Sequence, residues 1–114
     1  LKIHADGVHL KKYVQIMKDK PKTFLRIDNI AKNDVSKLIQ AEKSYGISWR
    51  KRGGVGAFMM SARKWDRIEQ QVESQNYDVF EAYAKDSREE GILDDIQDLR
   101  RYLLLVEEHI TKGG

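Results

Sequence analysis

Apolar positions along the chain form short periodic runs separated by polar or glycine-rich segments. The first run, residues 8–17, fits an amphipathic helix that ends before Pro21, the only proline. A second run, residues 23–27, is rich in β-branched and aromatic side chains and predicts a strand. Apolar spacing over residues 31–39 predicts another helix, with Asp28 or Asn29 as its N-cap.

Residues 46–71 raise the most specific expectation about local structure. The segment "ISWRKR" is β-prone, "GGVG" permits a tight turn and "AFMM" is apolar, so residues 47–60 predict a β-hairpin. Ser61 then fits the N-cap of a helix that buries Trp65 and Ile68 together with Met59, Val35 and Leu38 in one core. The order of strand, helix, hairpin and helix predicts an α+β fold with a small antiparallel sheet and a C-terminal helical segment.

The C-terminal third carries two apolar stripes. A short aromatic stripe comes first, and a heptad-like seam follows a break at Gly91. These stripes comprise Tyr77, Phe80 and Tyr83, then Ile92, Ile96, Leu99, Leu103 and Val106. The seam indicates an amphipathic helix that needs a groove or another helix. The acidic residues lie off the seam, on a face that we expect to be solvated, and they are Asp94, Asp95, Asp98, Glu107 and Glu108. Either a partner protein covers the two stripes, or the helix packs against the N-terminal helix or a second copy.

Charge is distributed unevenly along the 114 residues, although the net charge is only +3. Residues 1–64 carry 15 Lys and Arg against 5 Asp and Glu, or +10, whereas residues 65–114 carry 6 against 13, or −7. A basic half attracts polyanions and an acidic half attracts a cationic protein. The alternative is an uneven surface charge that serves no partner.

Other features argue against catalysis and against a membrane location. The chain has no cysteine, and His4, His9 and His109 lie far apart, so the sequence predicts no metal, no cofactor and no Cys/His nucleophile. The segment "GGVG" lacks the lysine of a phosphate loop. No apolar run reaches the length of a membrane span, and the start of the chain lacks a signal peptide's apolar stretch. We therefore expect a cytoplasmic protein that is not an enzyme and has no small-molecule substrate.

From Phe24 to Gln70 the chain resembles the Phd/YefM family of antitoxins. The matching segments are residues 31–39, 49–53, 57–61 and 65–68, in the order in which the family has helix, strand, strand and helix. The resemblance implies a homodimer in which strands of two chains join, with basic residues of both chains on one surface that faces double-stranded operator DNA.

Candidate DNA contacts follow from this resemblance and from charge. Arg50, Lys51 and Arg52 can neutralise phosphates, and in a strand the two arginines point to the same face. Lys32 falls where the family commonly has a DNA-contacting arginine, and Asn33 follows it. The alternative for "RKR" is a solvated hairpin edge whose charges discourage aggregation.

The functional hypothesis combines these parts. Residues 1–22 form an N-terminal helical extension, residues 23–75 a DNA-binding and dimerisation domain, and residues 76–114 an acidic segment that binds a basic toxin protein. The chain would then be an antitoxin of a type II toxin–antitoxin system that also represses its own operon. The alternatives are a stand-alone phage or plasmid DNA-binding regulator, and a protein-interaction module that does not bind nucleic acid.

Overall fold

The computed structural model describes residues 7–18, 21–45 and 51–112, and every regular element within them is a helix. The helices are α1 (Gly7–Lys18), α2 (Lys22–Tyr45), α3 (Gly53–Glu73), α4 (Val79–Lys85) and α5 (Ile92–Lys112). The chain divides into two compact units, Leu1–Ile39 and Gln40–Gly114. The first unit holds α1 and most of α2, and the second holds α3, α4 and α5.

The predicted α+β fold with a small antiparallel sheet is wrong, because the described residues contain no strand. The run 23–27 belongs to α2, which begins at Lys22 and not at Asp28 or Asn29. A run of only five residues cannot distinguish a strand from a helix by periodicity. Pro21 directly precedes the helix, where its missing N–H costs nothing, and its carbonyl accepts a hydrogen bond from the Phe24 amide at 3.0 Å.

The predicted hairpin is also wrong wherever the structure describes it. Lys51 and Arg52 form a turn, and α3 then runs through the supposed second strand, residues 57–60, while residues 47–50 lie outside the described part. Gly53 has φ +63°, so its conformational freedom serves the entry into a helix and not a hairpin turn. Ser61 is no N-cap, since it lies inside α3 and its hydroxyl donates to the Ala57 carbonyl at 3.2 Å.

In the first unit, side chains of α1 and α2 meet at Asp28. The Tyr13 hydroxyl donates to Asp28 Oδ1 at 2.6 Å, and Lys32 Nζ lies 2.7 Å from Asp28 Oδ2. The hydrogen bonds from Lys32 and then Tyr13 lower the pKa of Asp28. Asp28 therefore stays ionised and ties the two helices together through a phenol and an ammonium group.

In the second unit, α3 and α5 form an antiparallel pair, and α4 packs against both. Ile68, Ala82 and Ile92, one from each helix, are the buried apolar residues of the described chain. Partly buried apolar residues surround them, namely Val72, Val79, Ile96 and Leu99. The core predicted from sequence is wrong in most members: Ile68 is buried, whereas Trp65, Met59 and Val35 are exposed and Leu38 is half-buried.

Candidate functional site

A buried ionic network fixes how α3 lies against the start of α5. Asp95 is only 1% exposed, and its Oδ1 accepts a hydrogen bond from Arg67 Nε at 2.8 Å. Lys64 Nζ lies 3.6 Å from the same oxygen and 2.9 Å from Asp98 Oδ2. Because Lys64 and Arg67 are three residues apart on α3, they approach Asp95 from one helix face.

This network keeps Lys64 protonated. Burial opposes its charge, but the hydrogen bond to Asp98 and the charges of Asp98 and Asp95 outweigh burial and raise the pKa of Lys64. The second oxygen of Asp95, Oδ2, is buried and accepts no hydrogen bond from the described residues; Arg88 Nη2 lies 3.9 Å away. Charge therefore balances around Asp95, although one of its oxygens lacks a direct donor.

A second carboxylate, Asp86, holds the segment between α4 and α5 in place by hydrogen bonds. Its Oδ1 accepts from Arg88 Nε at 2.9 Å, and its Oδ2 accepts from Arg88 Nη2 at 2.9 Å and from the Ile92 amide at 2.6 Å. The hydrogen bonds from the Arg88 side chain, and lesser ones from the Arg88 and Ile92 amides, hold the pKa of Asp86 far below its usual range. A Cβ at Gly91 would lie 2.5 Å from Asp86 Oδ2, so any larger residue there requires the Asp86 carboxylate to move.

Beside the ionic network lies an apolar groove between the two long helices, which we call the α3–α5 groove. One part has a volume of about 560 Å³ and the other about 410 Å³, and the two parts share Leu103. The first part is lined by Trp65, Ile68, Glu69, Val72, Tyr77, Val79, Ile96, Leu99, Arg100 and Leu103. The second is lined by Gly53, Gly54, Ala57, Phe58, Ser61, Leu103, Val106, His109 and Ile110.

The rim of the groove exposes large apolar side chains to solvent. Trp65 is 54% exposed, Tyr77 70% and Leu103 52%. Glu69 and Arg100 are the charged residues of the first part, one on each helix. Large contiguous apolar patches on folded domains are typical of interaction surfaces.

Tyr77 reaches the groove through an unusual backbone conformation. Both Asn76 and Tyr77 have positive φ, 55° and 63°, and the Tyr77 amide donates to the Val72 carbonyl at 2.7 Å. Asparagine tolerates this left-handed region, but a bulky aromatic residue seldom adopts it. Asp78 then starts α4 by accepting hydrogen bonds from the amides of Phe80 and Glu81. The chain thus holds Tyr77 at a strained position whose side chain faces the groove.

The residues predicted to contact DNA lie in both units. Lys32 and Asn33 are exposed on α2, where Lys32 pairs with Asp28. Lys51 and Arg52 are exposed in the turn before α3, and Arg50 lies outside the described residues. The alternation of faces predicted for a strand does not apply to Lys51 and Arg52, because they occupy a turn.

The residues predicted to bind a protein partner divide into three environments. Ile92 is buried in the core, Ile96, Leu99 and Val106 are half-buried, and Leu103 is exposed. Tyr77, Phe80 and Tyr83 are all exposed. Five of the eight, Tyr77, Ile96, Leu99, Leu103 and Val106, line the α3–α5 groove, whereas Phe80, Tyr83 and Ile92 do not.

Sequence reasoning missed the buried role of Asp95 and the exposure of Trp65. Asp95 was expected on the solvated acidic face, yet it lies three residues after Ile92 and four before Leu99, which places it on the buried face of α5. That spacing was the available signal. Nothing comparable in the sequence indicated that Trp65 would stay exposed, because its position on the apolar stripe of α3 is typical of a core residue.

The described part of the chain has neither a metal-binding cluster nor a membrane-spanning helix. No group of three or more His, Cys, Asp or Glu side chains there is arranged to hold a metal ion. No described helix combines the length and apolar character needed to cross a bilayer. Comparison with known proteins gave no family, no curated protein and no solved structure that matches this chain.

Proposed function

We propose that this protein acts by binding and not by catalysis, and that it binds another protein through the α3–α5 groove. The observation that carries the proposal is the groove itself, an apolar channel whose rim exposes Trp65, Tyr77 and Leu103. Burying such side chains on association is favourable by roughly 25 cal/mol per Å² of apolar surface. A helical ligand or another helix pair matches a channel that runs between two antiparallel helices.

The residue types around the groove support protein binding in particular. Trp, Tyr and Arg dominate the binding energy of protein interfaces, and Trp65, Tyr77 and Arg100 lie together here. Glu69 adds a charge opposite to that of Arg100, which favours a partner with complementary charges over a lipid or a neutral ligand.

The strained backbone at Tyr77 gives independent support. A left-handed conformation at a bulky residue costs about 1–2 kcal/mol, and such strain persists where surrounding structure imposes it, often at functional sites. The phenol is largely exposed, so the isolated chain gains little burial in return. Contact between Tyr77 and a bound partner would supply the missing gain.

The antitoxin hypothesis remains a specific form of this proposal, with a basic toxin as the partner. The charge split supports a second activity, DNA binding, and exposed Lys51 and Arg52 supply cations beside α3.

A fluorescence-anisotropy titration of duplex DNA at several salt concentrations tests DNA binding, with Lys51→Ala/Arg52→Ala as the variant. We expect that variant to bind more weakly and with a flatter salt slope, and equal slopes would exclude these residues.

Photo-crosslinking tests protein binding through the groove. A photoreactive phenylalanine analogue replaces Trp65 in the full chain, which is expressed in cells and irradiated. The matched control places the same analogue at Arg63, an exposed position about 200° around α3 from Trp65. We expect protein adducts from position 65 and few from position 63. No adduct from position 65, or equal yields from the two positions, would refute the proposal.

A further inference from the structure

We propose that the first unit binds duplex DNA, with one polar face of α2 lying in the major groove. This inference does not rest on the α3–α5 groove, which belongs to the second unit. It also differs from the DNA interface expected from the sequence. There a hairpin carried the arginines, whereas here a helix makes the contacts.

One side of α2 carries cations and amides over most of the helix. At about 100° per residue, Lys22, Arg26, Asn29, Asn33 and Lys37 fall within an arc of about 80°, and we call these five residues the α2 stripe. All five are exposed. The stripe extends about 22 Å along the helix axis, and no acidic or apolar residue of this stretch falls within its arc.

The carboxylates of this part of α2 lie away from the stripe. Asp28 is roughly 140° around the helix from the middle of the stripe, where it accepts the Tyr13 hydroxyl at 2.6 Å and pairs with Lys32 at 2.7 Å. Asp34 lies about 100° away and is only 1% exposed. Lys32, which the sequence predicted as a DNA contact, is therefore off the stripe, whereas Asn33 is on it.

The cations of the stripe are available to an external anion. Arg26 Nη2 donates to the Thr23 hydroxyl at 3.3 Å, which leaves the other donors of the guanidinium. Among the described residues no carboxylate forms an ion pair with Lys22, Arg26 or Lys37. A helix face that carries cations without carboxylates attracts a polyanion.

The order of residues along the stripe matches the major groove of B-DNA, which is about 12 Å wide and admits an α-helix. Asn29 and Asn33 occupy the middle, about 6 Å apart along the axis, and an asparagine amide can bond N6 and N7 of adenine together. Lys22 and Arg26 precede them and Lys37 follows, so cations lie towards the phosphates that border the groove.

Other polyanions match the stripe less well. Single-stranded nucleic acids bind by stacking on aromatic side chains, and the stripe has none. The major groove of duplex RNA is too deep and narrow for side chains to read. A membrane surface needs apolar side chains as well as cations, and the stripe lacks them.

Salt dependence of binding tests the phosphate contacts. The full chain is titrated into a fluorescent DNA duplex at several salt concentrations, and anisotropy gives the binding constant. Lys22→Gln/Arg26→Gln/Lys37→Gln should weaken binding and flatten the slope of log K against log salt by about 2–3, because three phosphate contacts are lost. Circular dichroism checks that each variant stays helical.

The matched control removes the same charge from the same unit. Lys11→Gln/Lys12→Gln/Lys18→Gln changes three exposed lysines on α1 and should leave the slope nearly unchanged. Equal slopes in the two triple variants would overturn the inference. If only Lys51→Ala/Arg52→Ala flattens the slope, the DNA lies on the second unit, and the inference is overturned while DNA binding itself stands.

Selection from a random-sequence duplex library tests the base contacts. We expect the wild-type chain to enrich a sequence that contains adenine, and Asn29→Ala/Asn33→Ala to lose about 5- to 150-fold discrimination there without a change in salt slope. Alanine favours a helix more than asparagine does, so this variant keeps α2 folded. No enriched sequence, an unchanged preference in the variant, or tighter binding to single-stranded DNA, duplex RNA or phosphatidylserine vesicles would overturn the inference.

Discussion

The left-handed backbone at Tyr77 should reverse the usual order in which glycine and alanine substitutions destabilise a protein. In most positions replacing a side chain by glycine destabilises a protein more than replacing it by alanine, because glycine has more backbone freedom to lose. At φ 63° the order should reverse, since the Cβ of alanine keeps the left-handed strain and glycine removes it. We therefore compare Tyr77→Gly with Tyr77→Ala, two variants that lack the same phenol.

The size of the expected difference follows from two opposing effects. Left-handed strain costs an L-residue about 1–2 kcal/mol. The greater backbone entropy of glycine in the unfolded chain offsets about 0.5–1 kcal/mol of the stability gained by relieving this strain. Tyr77→Gly should thus be more stable than Tyr77→Ala by roughly 0.5–1 kcal/mol, or about 2–4 °C in Tm for a chain of this size.

Thermal and urea unfolding followed by circular dichroism at one protein concentration measure the difference. Tyr83 provides the control, because it is exposed on α4 inside a regular helix. There Tyr83→Gly should be less stable than Tyr83→Ala by about 1 kcal/mol. If glycine is the less stable substitution at position 77 as well, the strain at Tyr77 does not exist and its support for the groove is lost.

Three further substitutions test the polar contacts of the second unit. Asp95→Ala should lower the free energy of unfolding, measured in urea, by about 3 kcal/mol, because it breaks a buried ion pair. The control Glu107→Ala, on the exposed face of α5, should change the free energy of unfolding by less than about 0.5 kcal/mol. Gly91→Ala should cost about 1–3 kcal/mol in the same assay, because the new methyl group displaces Asp86 from the first amide of α5; a neutral result would contradict the close approach. Arg88 lowers the pKa of Asp86, so ionised Asp86 contributes stability above about pH 4, and this contribution is lost as the pH falls below about 4. Asp86→Asn should therefore flatten the decline of Tm at acid pH, and Asp66→Asn should not.

Long periodic patterns were the part of the fold that the sequence could predict. The helix before Pro21 and the break at Gly91 are both confirmed, because α1 ends at Lys18 and α5 begins at Ile92. Heptad spacing over about four turns leaves no strand interpretation open, since a strand alternates every two residues.

Short apolar runs beside glycine could not be assigned from sequence. Residues 23–27 have β-prone composition and residues 57–60 are an apolar run after a glycine-rich turn. Such runs form strands only where a sheet packs around them, and no sheet forms among the described residues. Once a run is joined to a neighbouring helix pattern, as Phe24 is to the rest of α2, the same side chains continue a helical stripe. Local composition decided those predictions, whereas tertiary packing decides the structure.

The site was predictable in its apolar residues and not in its charged ones. Heptad spacing places Leu103 on the apolar stripe of α5, and that stripe lines the groove. Pairing of Asp95 with Lys64 and Arg67 depends on which face of α3 meets α5, and no spacing within one helix contains that information.

The buried ions and the open groove depend on each other. A buried ion pair adds little net stability compared with apolar packing, but it disfavours every arrangement that leaves its charges unpaired. With so few buried apolar residues, α3 could slide along α5 at little cost, and a shift of one turn, about 5.4 Å, would separate Arg67 from Asp95 and move Trp65 away from Leu103. The network therefore fixes the register that creates the groove, and a groove that is already formed binds without a further ordering cost. It follows that Asp95→Ala should weaken association even where the helices persist, whereas Leu103→Asp should weaken association alone.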